Sequence, residues 1–176
     1  MKKLLSIIIL IISIFISGCG DSLYFSDENK KQSLEQNFKE GTPEYYCQKA
    51  KQYIISGDYK ESIKYAEEAL KIDSNSFDAY NVRGLAYAGL EKYELSIKDF
   101  TKSIELNKNF AKAYNNRGLA YIELKKYDIA LKDFNKAIEI DPNIADYYYN
   151  RGKCYYNIGD NKKSDEDYKK AKSLEK

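Results

Sequence analysis

The chain has 176 residues, with 29 basic and 27 acidic side chains and no histidine. Balanced charge removes any electrostatic preference for nucleic acid, and the missing histidine excludes His-based general bases, nucleophile partners and metal ligands together. Eighteen tyrosines stand against no tryptophan, and only two prolines, Pro43 and Pro142, interrupt the backbone, so long helices are permitted.

The first segment, residues 1–18, reads as an address. Lys2 and Lys3 form a positive start, Leu4 to Ile16 is apolar apart from Ser6 and Ser13, and small residues Ser17 and Gly18 lead into Cys19. The apolar run is shorter than the ~20 residues of a comfortable membrane-spanning helix. The stretch Ile16-Ser17-Gly18-Cys19 resembles the lipobox of bacterial lipoproteins. That resemblance implies cleavage before Cys19, diacylation of its sulfur, acylation of the new amine, and anchoring to a bacterial membrane. Gly20 follows the cysteine, with Asp21 one further on. In such proteins this favours the outer membrane, facing the periplasm, where the host has two membranes, and otherwise the outer face of the cell membrane. Residues 19–42 then form the lipidated cysteine and a polar tether, in which Leu34 and Phe38 are spaced for one helical turn.

From Pro43 the chain repeats itself. Residues 77–110 and 111–144 agree at 18 of 34 positions, and the flanks fall into register as 43–76 and 145–176. A fixed period of this size marks a solenoid of stacked units. Within each unit, the fourth position is Tyr46, Tyr80, Tyr114 or Tyr148, the eighth is Ala50, Gly84, Gly118 or Gly152, and the eleventh is Tyr53, Tyr87, Tyr121 or Tyr155. Position 20 is small (Ser62, Ser96, Ala130, Ser164), and position 24 is Ala66, Phe100, Phe134 or Tyr168. Positions 4, 8 and 11 share one helix face and positions 17, 20, 24 and 27 another, so each unit reads as two helices packed face to face. A small residue at position 8 is expected to meet a small one at position 20, with aromatic rings filling the flanks. Thr42-Pro43 opens the first helix, and Gly57-Asp58 and Gly159-Asp160 each close one helix and open the next.

These columns resemble the tetratricopeptide repeat, over residues 43–176, about three quarters of the chain. The resemblance implies an all-α, right-handed solenoid of four helix-turn-helix repeats. The fourth repeat departs at Asp165 and Lys172, where apolar residues are expected, as suits a cap whose outer face meets water.

Two sets of residues are candidates for function or its support. Arg83, Arg117 and Arg151 each stand at position 7, with Asp99, Asp133 and Asp167 sixteen residues later, while repeat 1 has Lys49 and Tyr65 instead. This pattern predicts a structural ladder of ion pairs, the alternative being a row of cations for an acidic partner. The second set is implied by the resemblance: the concave face, lined by positions 2, 5, 9, 12 and 13. It comprises Lys51, Ile54, Asn81, Leu85, Lys112, Asn115, Leu119, Ile122, Tyr149, Lys153 and Tyr156, with Asn81 and Asn115 suited to an extended peptide backbone and Tyr149 and Tyr156 adding apolar area with a polar tip. The Lys-Asn-Asn-Lys-Arg carboxylate clamp of chaperone-binding relatives is not matched: started at repeat 1 only Lys112 fits, and started at repeat 2 the set Asn81, Leu85, Asn116, Asp146 and Asn150 is again a poor match.

Nothing else carries chemistry. Cys47 and Cys154 lie three repeats apart, which at ~10 Å per packed layer exceeds the ~6 Å reach of a disulfide. No metal site, cofactor or catalytic residue is expected, and the chain is read as a non-enzyme. The reading is a membrane-anchored, non-catalytic adaptor of the bacterial cell envelope that holds a partner peptide or protein in its concave groove, with self-association through the stack ends as a further option. The alternative is a glycan or small-ligand binder using the tyrosine-rich groove.

Overall fold

The computed structural model describes residues 38–175. The signal segment, Cys19 and the tether up to residue 37 lie outside them. Among the described residues, eight helices follow one another in four antiparallel pairs: α1 (Pro43–Ile55) with α2 (Tyr59–Ile72), α3 (Phe77–Gly89) with α4 (Tyr93–Leu106), α5 (Ala111–Glu123) with α6 (Tyr127–Ile140), and α7 (Ala145–Asn157) with α8 (Asn161–Leu174). No strand occurs among the described residues. None of these helices is long and apolar enough to cross a membrane.

Each pair is closed by a short turn. At its position 15 the backbone takes a positive φ in all four repeats: Gly57 at 81°, Glu91 at 59°, Lys125 at 57° and Gly159 at 84°. Only glycine occupies that region without a Cβ penalty, so the two inner repeats carry strain that the outer two avoid. Side-chain caps start three helices. Thr42 Oγ1 accepts from the Tyr45 N–H at 3.3 Å, Ser76 Oγ from the Ala79 N–H at 3.3 Å, and Asp160 Oδ1 from the Lys163 N–H at 3.2 Å. Asp58 differs from its expected role. It stands at the N-cap of α2, but its carboxylate accepts from Ser56 Oγ at 3.0 Å and caps no backbone group.

The interior of repeats 2 to 4 leaves no room for a side chain at position 8. A Cβ placed on Gly84 would stand 2.6 Å from the Phe100 ring, one on Gly118 2.8 Å from Phe134, and one on Gly152 3.0 Å from Tyr168. The position-8 glycine is therefore the seat of the position-24 ring. Repeat 1 has Ala50 and Ala66 at these two positions, both fully buried. Phe100 and Phe134 are fully buried as well, so a larger ring is matched to a smaller seat from repeat to repeat.

Stacking of the pairs gives the solenoid its curvature. The first helices α1, α3, α5 and α7 touch their neighbours in sequence, whereas α2, α4, α6 and α8 approach only first helices and never one another. A row in contact on one side and splayed on the other bends towards the contacting side, so the first helices form the inner wall. Small residues let that wall close up: Ala79 packs on Cys47 and Ala69 of the preceding repeat, and Tyr147 on Ala111 and Ala137. Ser103 Oγ adds a tie by donating to the Phe77 carbonyl at 2.8 Å across its own pair.

Candidate functional site: the inner wall and the arginine ladder

Positions 5 and 6 of the first helices face each other across each repeat junction. Asn116 Nδ2 donates to Asn81 Oδ1 at 3.0 Å, and one repeat later Asn150 Nδ2 donates to Asn115 Oδ1 at 3.0 Å. These amides are buried between 2 and 8 % exposed. Among the described residues, the side-chain polar atoms that are both fully enclosed and unpaired are Ser62 Oγ and Ser164 Oγ. Each asparagine pair leaves one amide nitrogen and one amide oxygen without a partner in the described residues. The spacing of 35 residues hides this pairing from a one-repeat reading of the sequence, since it joins position 5 of one unit to position 6 of the next.

The residues assigned to the groove separate into two groups. Ile54, Asn81, Leu85, Asn115, Leu119 and Ile122 are buried and form the floor, consumed mostly by packing between first helices. Lys51, Lys112, Tyr149, Lys153 and Tyr156 reach solvent. Lys51 is engaged, its Nζ 2.7 Å from Asp78 Oδ2 of the next repeat. Tyr149 and Tyr156 are 51 and 65 % exposed, at the C-terminal end of the wall.

On the other side of the first helices runs the arginine ladder. Arg83 Nε and Nη2 donate to Asp99 at 2.7 and 2.8 Å, Arg117 does the same to Asp133 at 2.8 Å for both, and Arg151 to Asp167 at 2.8 and 2.7 Å. The aspartates are 5 % exposed, so these forked bonds satisfy carboxylates that burial would otherwise penalise. Hydrogen bonds to Asp99 and Asp167 hold the Arg83 and Arg151 guanidinium pKa values above the ordinary range. The third nitrogen reaches back to position 25 of the preceding repeat: Arg117 Nη1 donates to Thr101 Oγ1 at 3.0 Å, Arg151 Nη1 to Asn135 Oδ1 at 2.7 Å, and Arg83 Nη1 lies 3.9 Å from Glu67. Each arginine also lies over the position-4 ring of its repeat, 5.4 to 5.8 Å from the centroid. One side chain thus ties two helices of a repeat and the repeat before it. Position 25 is the partner the sequence reading missed, although its regular acceptors Glu67, Thr101 and Asn135 stand sixteen residues before each arginine.

Repeat 1 has no such pair. Tyr65 occupies the aspartate position and stacks on Tyr53, with centroids 5.1 Å apart and planes 22° apart, and lies 6.3 Å from Tyr46. Lys49 lies over Tyr45 at 5.7 Å.

Reactive groups do not converge anywhere in the described residues. The thiols of Cys47 and Cys154 are free and buried. Burial pushes the first up to about 12, helped by Asp78, and the second to about 11, helped by Asp128. Both stay protonated and poor nucleophiles at neutral pH. No three metal-ligating side chains cluster among the described residues. An open groove of about 490 Å³ beside Arg83 is lined by Tyr80, Asp99, Lys98, Lys102, Thr101 and Glu105, charges of both signs of which Arg83 pairs with Asp99 and Lys102 with Glu105.

Eight paired helices with a small-residue inner wall define a helical repeat scaffold. Tetratricopeptide repeat models match residues 43–76, 77–110, 111–144 and 134–166, and the chain belongs to that family. No curated protein matches the sequence. Among solved structures, a crystal structure of MamA is 26 % identical with a TM-score of 0.67, over 82 % of this chain and 84 % of that one. A second MamA structure is 25 % identical with a TM-score of 0.66, over 83 % of this chain and 76 % of that one. The first repeat domain of Spaghetti (RPAP3), bound to the HSP90 peptide SRMEEVD, is 26 % identical with a TM-score of 0.62, over 66 % of this chain and 92 % of that one.

Proposed function

We propose that this chain is a lipid-anchored, non-catalytic adaptor of the bacterial cell envelope, holding an extended segment of a partner protein along its inner wall. The observation that carries the reading is the pair of asparagine bridges, one repeat apart. Each bridge leaves a donor on Asn81 or Asn115 and an acceptor on Asn116 or Asn150 without a partner in the described residues. A donor and an acceptor together are what an extended backbone presents in reverse. The apolar floor of Leu85, Leu119 and Ile122 between them excludes water from such bonds. Support also comes from the peptide-bound repeat domain of Spaghetti (RPAP3).

Anchoring rests on the lipobox-like Ile16-Ser17-Gly18-Cys19. Several acyl chains on Cys19 hold a protein stably, since each buried CH₂ contributes ~0.8 kcal/mol. Residues 20–42 would let the repeats stand off the bilayer, facing the periplasm or the cell exterior.

The test places a photo-crosslinking amino acid at Lys112, at the wall, and in a parallel sample at exposed Lys132, on α6 of the outer face. Both are carried by the full-length chain in its own membranes. A protein adduct from Lys112 and none from Lys132 is expected. Equal adducts from both faces, or none from Lys112, would refute the groove. Loss of membrane association on Cys19→Ser is the companion expectation for the anchor.

A further inference from the structure

The C-terminal end of the stack is built differently from every internal junction. At internal junctions, position 5 is covered by the next first helix: Cys47, Asn81 and Asn115 are 3 to 7 % exposed. Position 12 is equally closed at Ile54, Ala88 and Ile122, and position 24 at Ala66, Phe100 and Phe134. The same three positions of repeat 4 hold Tyr149, Tyr156 and Tyr168. Tyr149 and Tyr156 are 51 and 65 % exposed, and the Tyr149 ring lies 5.3 Å from that of Tyr168. A polar cap is present on α8, where Asp165 and Lys172 are exposed, but the first-helix side of this end is aromatic.

The internal junctions also show what such a face accepts. Every incoming first helix seats a small residue at position 10, Ala86, Ala120 or Cys154, and two of the three seat one at position 3, Ala79 and Ala113, where α7 has Tyr147, all of them buried. Its position 7 meets position 25 of the repeat before it, where Glu67, Thr101 and Asn135 each face an arginine. Repeat 4 inverts that contact, because its position 25 is the exposed Lys169. An incoming arginine or lysine is repelled there, and a carboxylate is attracted. A second copy of this chain brings Lys49 to that point and the exposed Gln52 where a small residue is needed.

We propose that the Tyr149–Tyr156–Tyr168 end face is a docking site for an amphipathic helix of a partner protein, carrying two small residues seven apart and an acidic side chain between them, opposite Lys169. The helix continues the stack as an additional first helix would. This deepens the adaptor reading, adding a second surface to the groove. Tyrosines supply large, low-entropy contact area with a polar tip, as interface anchors do.

The probe is a fluorescein-labelled, hydrocarbon-stapled peptide of this chain's own residues 77–89, which supply Ala79 and Ala86, with the substitution Arg83→Glu. Stapling supplies the helix that a peptide of this length does not hold by itself. Fluorescence polarisation is read against the purified full-length chain in detergent micelles. Saturable binding is expected, with the parent Arg83 peptide at least tenfold weaker. Lys169→Glu should reverse the order of the two peptides, and Tyr156→Asp should weaken the Glu peptide at least tenfold with an unchanged far-UV circular dichroism spectrum. Lack of saturable binding, equal affinity of the two peptides, or an order unmoved by Lys169→Glu overturns the proposal. So does concentration-dependent dimerisation in sedimentation that Tyr156→Asp abolishes, since the occupant would then be a second copy. Failure here leaves the Lys112 crosslinking result untouched, and the two readings stand or fall separately.

Discussion

Repeat 1 and repeats 2 to 4 reach the same helix pair by different chemistry. The later repeats pair a glycine with a ring and an arginine with an aspartate. Repeat 1 has Ala50 and Ala66 at the glycine and ring positions and stacks Tyr65 on Tyr53. The helix pairing is alike in both cases, so the fold admits more than one residue set at positions 8, 23 and 24. What differs is the tie to neighbours. Arg117 and Arg151 bond the repeat before them, and Lys49 has none before it to bond.

The largest effect should come from emptying the ring seat. Phe134→Ala removes a fully buried ring and is expected to cost roughly 3–5 kcal/mol in denaturant unfolding. Gly118→Ala in the parent chain is also expected to destabilise, by roughly 1–3 kcal/mol, because its new Cβ falls 2.8 Å from that ring. Combined, the two substitutions recreate the Ala–Ala pair of repeat 1. In the Phe134→Ala background, Gly118→Ala should therefore change sign and stabilise, by partly filling the cavity and restoring helix propensity worth about 1 kcal/mol. A Gly118→Ala effect of equal sign in both backgrounds would show that the glycine serves something other than the ring.

Breaking the ladder should come next. Asp133→Ala leaves the Arg117 guanidinium, whose side chain is 18 % exposed, without its carboxylate. The cost of stranding a buried charge is roughly 3–5 kcal/mol, and residual solvent contact brings the expectation here to about 2–3 kcal/mol. Lys49→Ala in repeat 1, which removes no ion pair, should stay within about 0.5 kcal/mol by the same measurement. If Asp133→Ala leaves stability intact and abolishes the Lys112 crosslink, the arginines serve a ligand and the structural account of them is wrong.

Periodicity in the sequence carried the helix pairs, because packing repeats wherever the fold repeats. The spacing of sixteen from arginine to aspartate was legible for the same reason. Three features were not. The Asn81–Asn116 bridge crosses a repeat boundary between different positions, so no single column shows it. The seat of the Phe100 ring on Gly84 depends on rotamer and helix approach, which a helical wheel does not contain. Burial of Leu85, Leu119 and Ile122 in the groove floor follows from how closely the first helices touch, and that is set by the small residues of the adjoining repeat. Exposure at Tyr149 and Tyr156 is the converse: the equivalent positions of earlier repeats are buried, and only the end of the described stack leaves these two open.

The smallest expected effect concerns the turn inside each pair. All four position-15 residues adopt positive φ, but only Gly57 and Gly159 do so without a side chain to accommodate. Left-handed backbone costs an L-residue roughly 1–2 kcal/mol, and glycine returns part of that through its larger entropy loss on folding. Glu91→Gly and Lys125→Gly should each stabilise the chain by roughly 0.5–1 kcal/mol, a shift of about 2–4 °C in thermal unfolding for a domain of this size. Gly57→Ala supplies the matching control. A Cβ there meets nothing within 4 Å, so any destabilisation comes from the backbone alone. Loss of stability on Glu91→Gly would mean that the Glu91 side chain holds the turn by a contact worth more than the strain, and repeats 1 and 2 would then differ in their turns as well as in their cores.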